Sequence, residues 1–190
     1  DIPNDPVKIP LLEWRGNECC SSQNAFAPWW IGAYDRTPIE TIGESIVRDQ
    51  VSWHVRGPMS AYECGRFRYV NMVSIGDKAK SFDSNGGWGA SDYVQWRCSI
   101  EGGRIENYNG GIRVPSITDK LDATGTNPGL FVVMGTRVRC RSGITVQVPW
   151  HNANANRLPP ITVHLDSVNL QPLRPTDRDE RHIIVGYRSG

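Results

Sequence analysis

The stretch Arg137–Pro160, RVRCRSGITVQVPWHNANANRLPP, decides how the rest of the chain is read. It opens as two short strands meeting at Ser142-Gly143. In the first, Val138 and Cys140 point one way and Arg137, Arg139 and Arg141 the other. In the second, Ile144, Val146 and Val148 alternate with Thr145 and Gln147. Period-two alternation means a sheet with one buried and one polar face. Val148-Pro149-Trp150 then stops the pattern, and an asparagine-rich loop runs to Pro159-Pro160. No catalytic motif lies in the stretch.

The same grammar extends along the chain. Gly65–Ile75 reads as one strand, with Phe67, Tyr69, Val73 and Ile75 on one face and Val70 and Met72 on the other. Asp92–Ile100 alternates with Val94, Trp96, Cys98 and Ile100 inward. Gly102-Gly103 and Asn109-Gly110-Gly111 bracket an expected hairpin. Ile112–Pro115 is a brief strand, and Leu130–Met134 is an apolar run leading into the opening stretch. Ile161–Leu170 alternates, then changes phase near Asp166-Ser167, where a bulge is expected. His182–Tyr187 is a terminal strand. Thr41–Val55 is expected to be a short helix or irregular piece followed by a strand, ended by Arg56-Gly57-Pro58. Residues 1–40 are broken by Pro3, Pro6, Pro10, Pro28 and Pro38, yet they carry Trp14, Trp29 and Trp30. They are expected to pack on the domain or on a neighbour, because aromatic groups of this kind are enriched in interface cores. No repeat at a fixed period is apparent.

Composition bounds the function. The 190 residues suit one domain, and 19 glycines with 13 prolines favour many short strands and turns over long helices. Lys and Arg number 21 against 20 acids, a net charge of +1, so no global basic field marks a nucleic-acid binder. Five cysteines, two of them vicinal and none in CxxC spacing, read as unbridged and mostly buried thiols. His54, His151, His164 and His182 lie far apart and in no metal-ligand spacing. Gly86-Gly87-Trp88-Gly89 has no Lys-Ser/Thr after it, so it reads as a turn with an aromatic plug and not as a phosphate loop. Asp77, Asp83 and Asn85 lack EF-hand spacing. No enzyme activity, metal or cofactor is expected.

The residues left over are candidates for contact. Arg137, Arg139 and Arg141 form a cationic stripe suited to RNA phosphates or to acidic groups on a neighbouring subunit, with a solvated sheet face as the plain alternative. Trp14, Trp29, Trp30, Trp150, Arg174, Arg178 and Arg181 are candidate interface residues. The tail mixes its arginines with Asp177, Asp179 and Glu180, which suits ion pairs between subunits.

Val148-Pro149-Trp150 followed by His151-Asn152-Ala153-Asn154 resembles the end of a jelly-roll strand in capsid proteins of picorna-like viruses. Trp53–Gly57 with Gly65–Ile75 loosely resembles the start of another strand of that fold. Leu173–Gly186, LRPTDRDERHIIVG, is similar to the C-terminal region of the small coat protein of comovirus-type plant viruses. The resemblance covers under half of the chain. It implies an all-β fold: an eight-stranded antiparallel jelly-roll sandwich with long loops and at most one or two short helices. Residues 41–190 would form the jelly roll, with the tail at 172–190. It implies a structural coat protein that joins other coat subunits in an icosahedral capsid around positive-strand RNA, in a virion made in the host cytoplasm, with no membrane contact. Release from a polyprotein would agree with a start at Asp1 instead of Met. Two other classes compete. One is a monomeric carbohydrate-binding module that stacks sugars on Trp29, Trp30 and Trp88. The other is a β-sandwich hydrolase with an unrecognised site.

Overall fold

The computed structural model describes residues 10–28, 43–62, 64–77, 87–92, 98–115, 130–147, 162–172 and 183–186. The strands found there, β1 to β17, are short and fall into repeating groups of three. The chain begins with β1 (Trp14–Arg15) and β2 (Glu18–Cys20). A full turn follows in β3 (Ser45–Arg48), β4 (Val51–Trp53) and β5 (Met59–Tyr62), and a second in β6 (Phe67–Val70), β7 (Val73–Ile75) and β8 (Trp88–Asp92). Next come β9 (Cys98–Glu101), β10 (Arg104–Glu106) and β11 (Gly110–Pro115), then β12 (Leu130–Met134), β13 (Arg137–Cys140) and β14 (Ser142–Gln147). The last turn is β15 (Thr162–Asp166), β16 (Asn169–Pro172) and β17 (Ile183–Gly186).

β1 and β2 pair with β3 and β4, from β3 onward each strand pairs with the strand three places on in the chain, and every pairing is parallel. One sheet runs β1-β3-β6-β9-β12-β15, a second β2-β4-β7-β10-β13-β16, and a third β5-β8-β11-β14-β17. The chain therefore winds through three sheets in turn and stacks coil upon coil. This is a three-sided parallel β-solenoid. The expected antiparallel jelly roll is overturned by these registers, and the hairpin expected between Gly102-Gly103 and Asn109-Gly110-Gly111 is instead the single strand β10, paired in parallel with β7 and β13. No helix occurs among the described residues, which include 43–55 of the segment expected to hold one.

The corner between the first and second sheets explains the winding. It always spans two residues: Gly16-Asn17, Asp49-Gln50, Asn71-Met72, Gly102-Gly103, Gly135-Thr136 and Ser167-Val168. The first of each pair is in the left-handed region, at φ 63, 54, 52, 67, 60 and 52 respectively. That conformation favours Gly, Asn and Asp, and it turns the chain sharply while keeping its backbone groups in the stacking direction. Five residues further on, Ser21, His54 and Asn107 are left-handed as well and start the next corner.

A left-handed residue also breaks the two-residue phase of side chains. In Gly65–Ile75, Phe67 and Tyr69 are buried, and so are Met72 in the corner and Ser74 beyond it, whereas Val73 and Ile75 face outward, half-buried. One continuous strand would place Val73 and Ile75 with Phe67. The phase change near Asp166-Ser167 has the same origin: Ser167 is the corner residue, not a bulge.

Inward side chains stack in columns along the bore. Trp14, Val47, Tyr69, Ile100, Val133 and Leu165 are successive register partners in the first sheet. Their spacings in sequence are 33, 22, 31, 33 and 32 residues, which is why no fixed period is visible. The variation is absorbed in the other two corners, since the first corner never changes length. In the second sheet the inward column is Cys19, Ser52, Ser74, Ile105, Val138 and Leu170. Burying each large aliphatic member contributes about 1.5–3 kcal/mol.

Some polar groups inside the bore are paired, whereas Gln50 Oε1, Tyr69 OH, Asn107 Oδ1 and Tyr108 OH are buried without a hydrogen-bond partner among the described residues. The Ser52 hydroxyl donates to Ser74 Oγ at 2.9 Å, and the buried Trp88 indole Nε1–H donates to the same oxygen at 2.8 Å. Thr136 Oγ1, buried beside the corner, bonds the Gly102 carbonyl at 3.0 Å. All five cysteines are thiols. Cys64, Cys98 and Cys140 are buried, while Cys19 is half-buried and Cys20 exposed. Burial pushes the Cys98 thiol far up, so it stays protonated.

Candidate functional site

The candidate site is the outer face of the second sheet in its later coils. Three-residue strands with an inward centre leave their first and third residues outward. Register then fixes two outward columns. One is Glu18, Val51, Val73, Arg104, Arg137 and Asn169; the other is Cys20, Trp53, Ile75, Glu106, Arg139 and Gln171. The face is thus apolar in the second and third coils, at Val51, Trp53, Val73 and Ile75, and ionic in the fourth and fifth, at Arg104, Glu106, Arg137 and Arg139.

Arg104 and Arg137 are direct register partners. Adjacent parallel strands lie about 4.8 Å apart, so two guanidinium-bearing side chains leave the sheet side by side, a like-charge pairing that costs stability by itself. Arg137 is held loosely. Its Nη2 donates to Gln171 Oε1 at 3.1 Å, and its Nε lies 3.9 Å from Glu106 Oε1. Arg139 is half-buried beside it, in register with Glu106. Arg141 is exposed at the following corner, where its backbone N–H donates to the Tyr108 carbonyl at 3.0 Å. The expected stripe of Arg137, Arg139 and Arg141 therefore spans a strand and a corner. Arg104 was missed by the sequence reading, because 33 residues separate it from Arg137 and only parallel stacking brings the two together.

Of the other expected contact residues, Trp14 is the inward residue of the first coil. It is 38% exposed and tilted against Phe26 at 5.7 Å between ring centroids, so it covers one end of the bore. Trp29, Trp30, Trp150, Arg174, Arg178 and Arg181 lie outside the described residues. Trp88, expected as a sugar-stacking platform, is completely buried in the bore and cannot serve as one.

A second charged cluster sits on the outer face of the first sheet. Arg68 donates through Nε and Nη2 to Glu101 Oε1 and Oε2 at 2.9 and 2.7 Å, and Ser99 Oγ donates to Glu101 Oε1 at 2.6 Å. The hydrogen bonds from Arg68 hold the Glu101 carboxyl below its ordinary value despite partial burial. A carboxylate so fixed is a poor general acid, and the bidentate pair is structural. Among the described residues no group of three His, Cys, Asp or Glu side chains is placed to hold a metal ion, and no helix is long and apolar enough to cross a membrane. Among the described residues the later coils of this face offer cationic hydrogen bonding. No protein-family model matches the chain, and neither a curated protein nor a solved structure matches it.

Proposed function

We propose that the chain is a non-catalytic binding protein: a rigid solenoid whose arginine face engages a polyanionic chain. RNA is the polyanion that the capsid resemblance implies. The observation that carries this reading is the in-register pair Arg104 and Arg137, flanked by Arg139. Three arginines face one nearby acid, Glu106, and a row of phosphates along the sheet would supply the missing negative charge. The coat-subunit role keeps only its general part in this reading, a protein that binds RNA and other protein copies. Its jelly-roll geometry is gone.

The test is binding of a fluorescent oligouridylate by anisotropy across a salt series. If each of Arg104, Arg137 and Arg139 contacts a phosphate, changing all three to Ala lowers the slope of log K against log salt by about 2, at roughly 0.7 per contact for single strands. An unchanged slope with unchanged affinity would sink the proposal. A polyuronate that displaces the RNA with equal strength would shift the ligand to an acidic polysaccharide on the same face. The carbohydrate-module alternative loses Trp88 as a platform and has no support among the described residues.

A further inference from the structure

The two ends of the coil stack are complementary to one another. Four large apolar residues are exposed among the described residues. Three of them lie in the terminal coils: Leu12 and Trp14 at one end and Leu165 at the other, at 76%, 38% and 38%. Inner members of the same column, such as Tyr69, Ile100 and Val133, are at most 1% exposed because coils cover them on both sides.

The backbone tells the same story. At each inner corner the left-handed residue donates its N–H to the carbonyl just before the next corner: Gly16 to Arg48, Asp49 to Val70, Asn71 to Glu101, Gly102 to Met134, and Gly135 to Asp166. The strand residue after each corner donates back: Val51 to Asn17, Val73 to Gln50, Arg104 to Met72, Arg137 to Gly103, and Asn169 to Thr136. Among the described residues, at the last corner this ladder ends with the Ser167 N–H and the Val168 carbonyl, and at the first corner it begins with the Arg15 carbonyl and the Glu18 N–H. The Arg15 carbonyl takes an Asn17 side-chain bond at 3.2 Å in the meantime. The donors and acceptors left at one end are those the other end requires. Unpaired strand edges of this kind are templates for further pairing.

We infer that a second copy of this chain stacks head to tail, its first coil continuing the register of the last coil of its neighbour. Extending the columns by one coil places the second copy's Trp14 on Leu165, its Cys19 on Leu170, and its Arg15 on Asp166. Apolar residues meet apolar residues, and Arg15, which within its own chain is in register with Arg48 and lies 3.6 Å from Asp49 Oδ2, meets a second acid on its open side. Opposite charges at directly facing positions stabilise a sheet, and like charges oppose it. The contact is heterologous, so it does not close on itself after two copies and yields linear oligomers. This goes beyond polyanion binding and does not depend on it.

Sedimentation velocity over a concentration series tests the inference. The wild-type chain is expected to form concentration-dependent linear oligomers. Asp166→Arg alone, or Arg15→Asp alone, places like charges at the junction and weakens self-association ~10-fold or more. Mixing the two variants in equal amounts restores it, because each junction between unlike variants again joins an acid to an arginine. Circular dichroism of each variant checks that the strands persist. A wild-type chain that stays monomeric at all concentrations overturns the inference. So do oligomers that ignore both substitutions, or a mixture no better than its components, which points to a contact elsewhere.

Discussion

Gly103 offers the sharpest test of the stacked architecture. It is the second residue of a corner whose first residue, Gly102, is also left-handed; their φ values are 67 and 75. A Cβ at Gly103 would come 2.2 Å from the Met72 carbonyl oxygen and 2.7 Å from the Met72 nitrogen, both backbone atoms of the preceding coil. Backbone in a stacked coil has nowhere to go, so the two coils must part by about 1 Å to restore ordinary contact. The corner bonds Asn71 N–H to the Glu101 carbonyl and Arg104 N–H to the Met72 carbonyl are both 2.8 Å long. Parting the coils takes them to the limit of hydrogen-bonding distance. Losing both costs about 2–3 kcal/mol, and a left-handed alanine adds about 1–2 kcal/mol. Gly103→Ala should therefore destabilise by about 4 kcal/mol, a large part of the total for a domain. Gly135→Ala is the matched control. Gly135 is left-handed at φ 60, but a Cβ there meets nothing closer than 3.9 Å, so only the conformational cost of about 1–2 kcal/mol applies. Urea denaturation of both variants with equal m-values gives the comparison. Equal losses in the two would refute the close approach of Gly103 to Met72, and with it the parallel register at this corner.

Two further outcomes follow from the bore and from the outer face. Ser74→Ala removes the acceptor shared by Ser52 and Trp88, leaving an indole N–H and a hydroxyl buried without a partner. It should cost about 2–4 kcal/mol in the same assay, against about 1 kcal/mol for Ser52→Ala, and equal costs would contradict the shared acceptor. Glu101 has its carboxyl held below the ordinary value of 4.5, chiefly by hydrogen bonds from Arg68, so the unfolded chain takes up its proton first as pH falls. Its stabilisation is complete above the unfolded value and is lost as pH drops through the folded one. Between about pH 6 and pH 3 the wild type should lose more stability than Glu101→Gln, by at most about 1 kcal/mol because the pair is partly exposed; identical pH profiles would show the pair to be idle.

The arginine face illustrates what was legible and what was not. Alternation placed Val138 and Cys140 inward and Arg137 and Arg139 outward, and the structure agrees. Nothing near Arg137 in the chain points to Arg104, because their neighbourhood is created by stacking coils 33 residues apart. Trp88 shows the converse. Its glycine-rich surroundings read as a turn with an aromatic plug, and the indole does plug the bore, as the first residue of β8 held by Ser74.

The sequence by itself determined an all-β chain of short strands, the facing of side chains in a strand such as β13, and cysteines that are unbridged and mostly buried. These are local properties: a strand's faces follow from its own period, and burial from its own apolar residues. Only the tertiary structure decided which strands pair and in which direction. Half-polar strands ordinarily belong to antiparallel sheets, since parallel sheets are usually covered on both faces. A solenoid evades that rule by enclosing one face of each parallel sheet in its bore and leaving the other to solvent. The device that permits it is a left-handed residue at Gly16, Asp49, Asn71, Gly102, Gly135 and Ser167. Read one at a time these six look like turns or bulges. Their common role emerges only when the coils they join lie on top of one another.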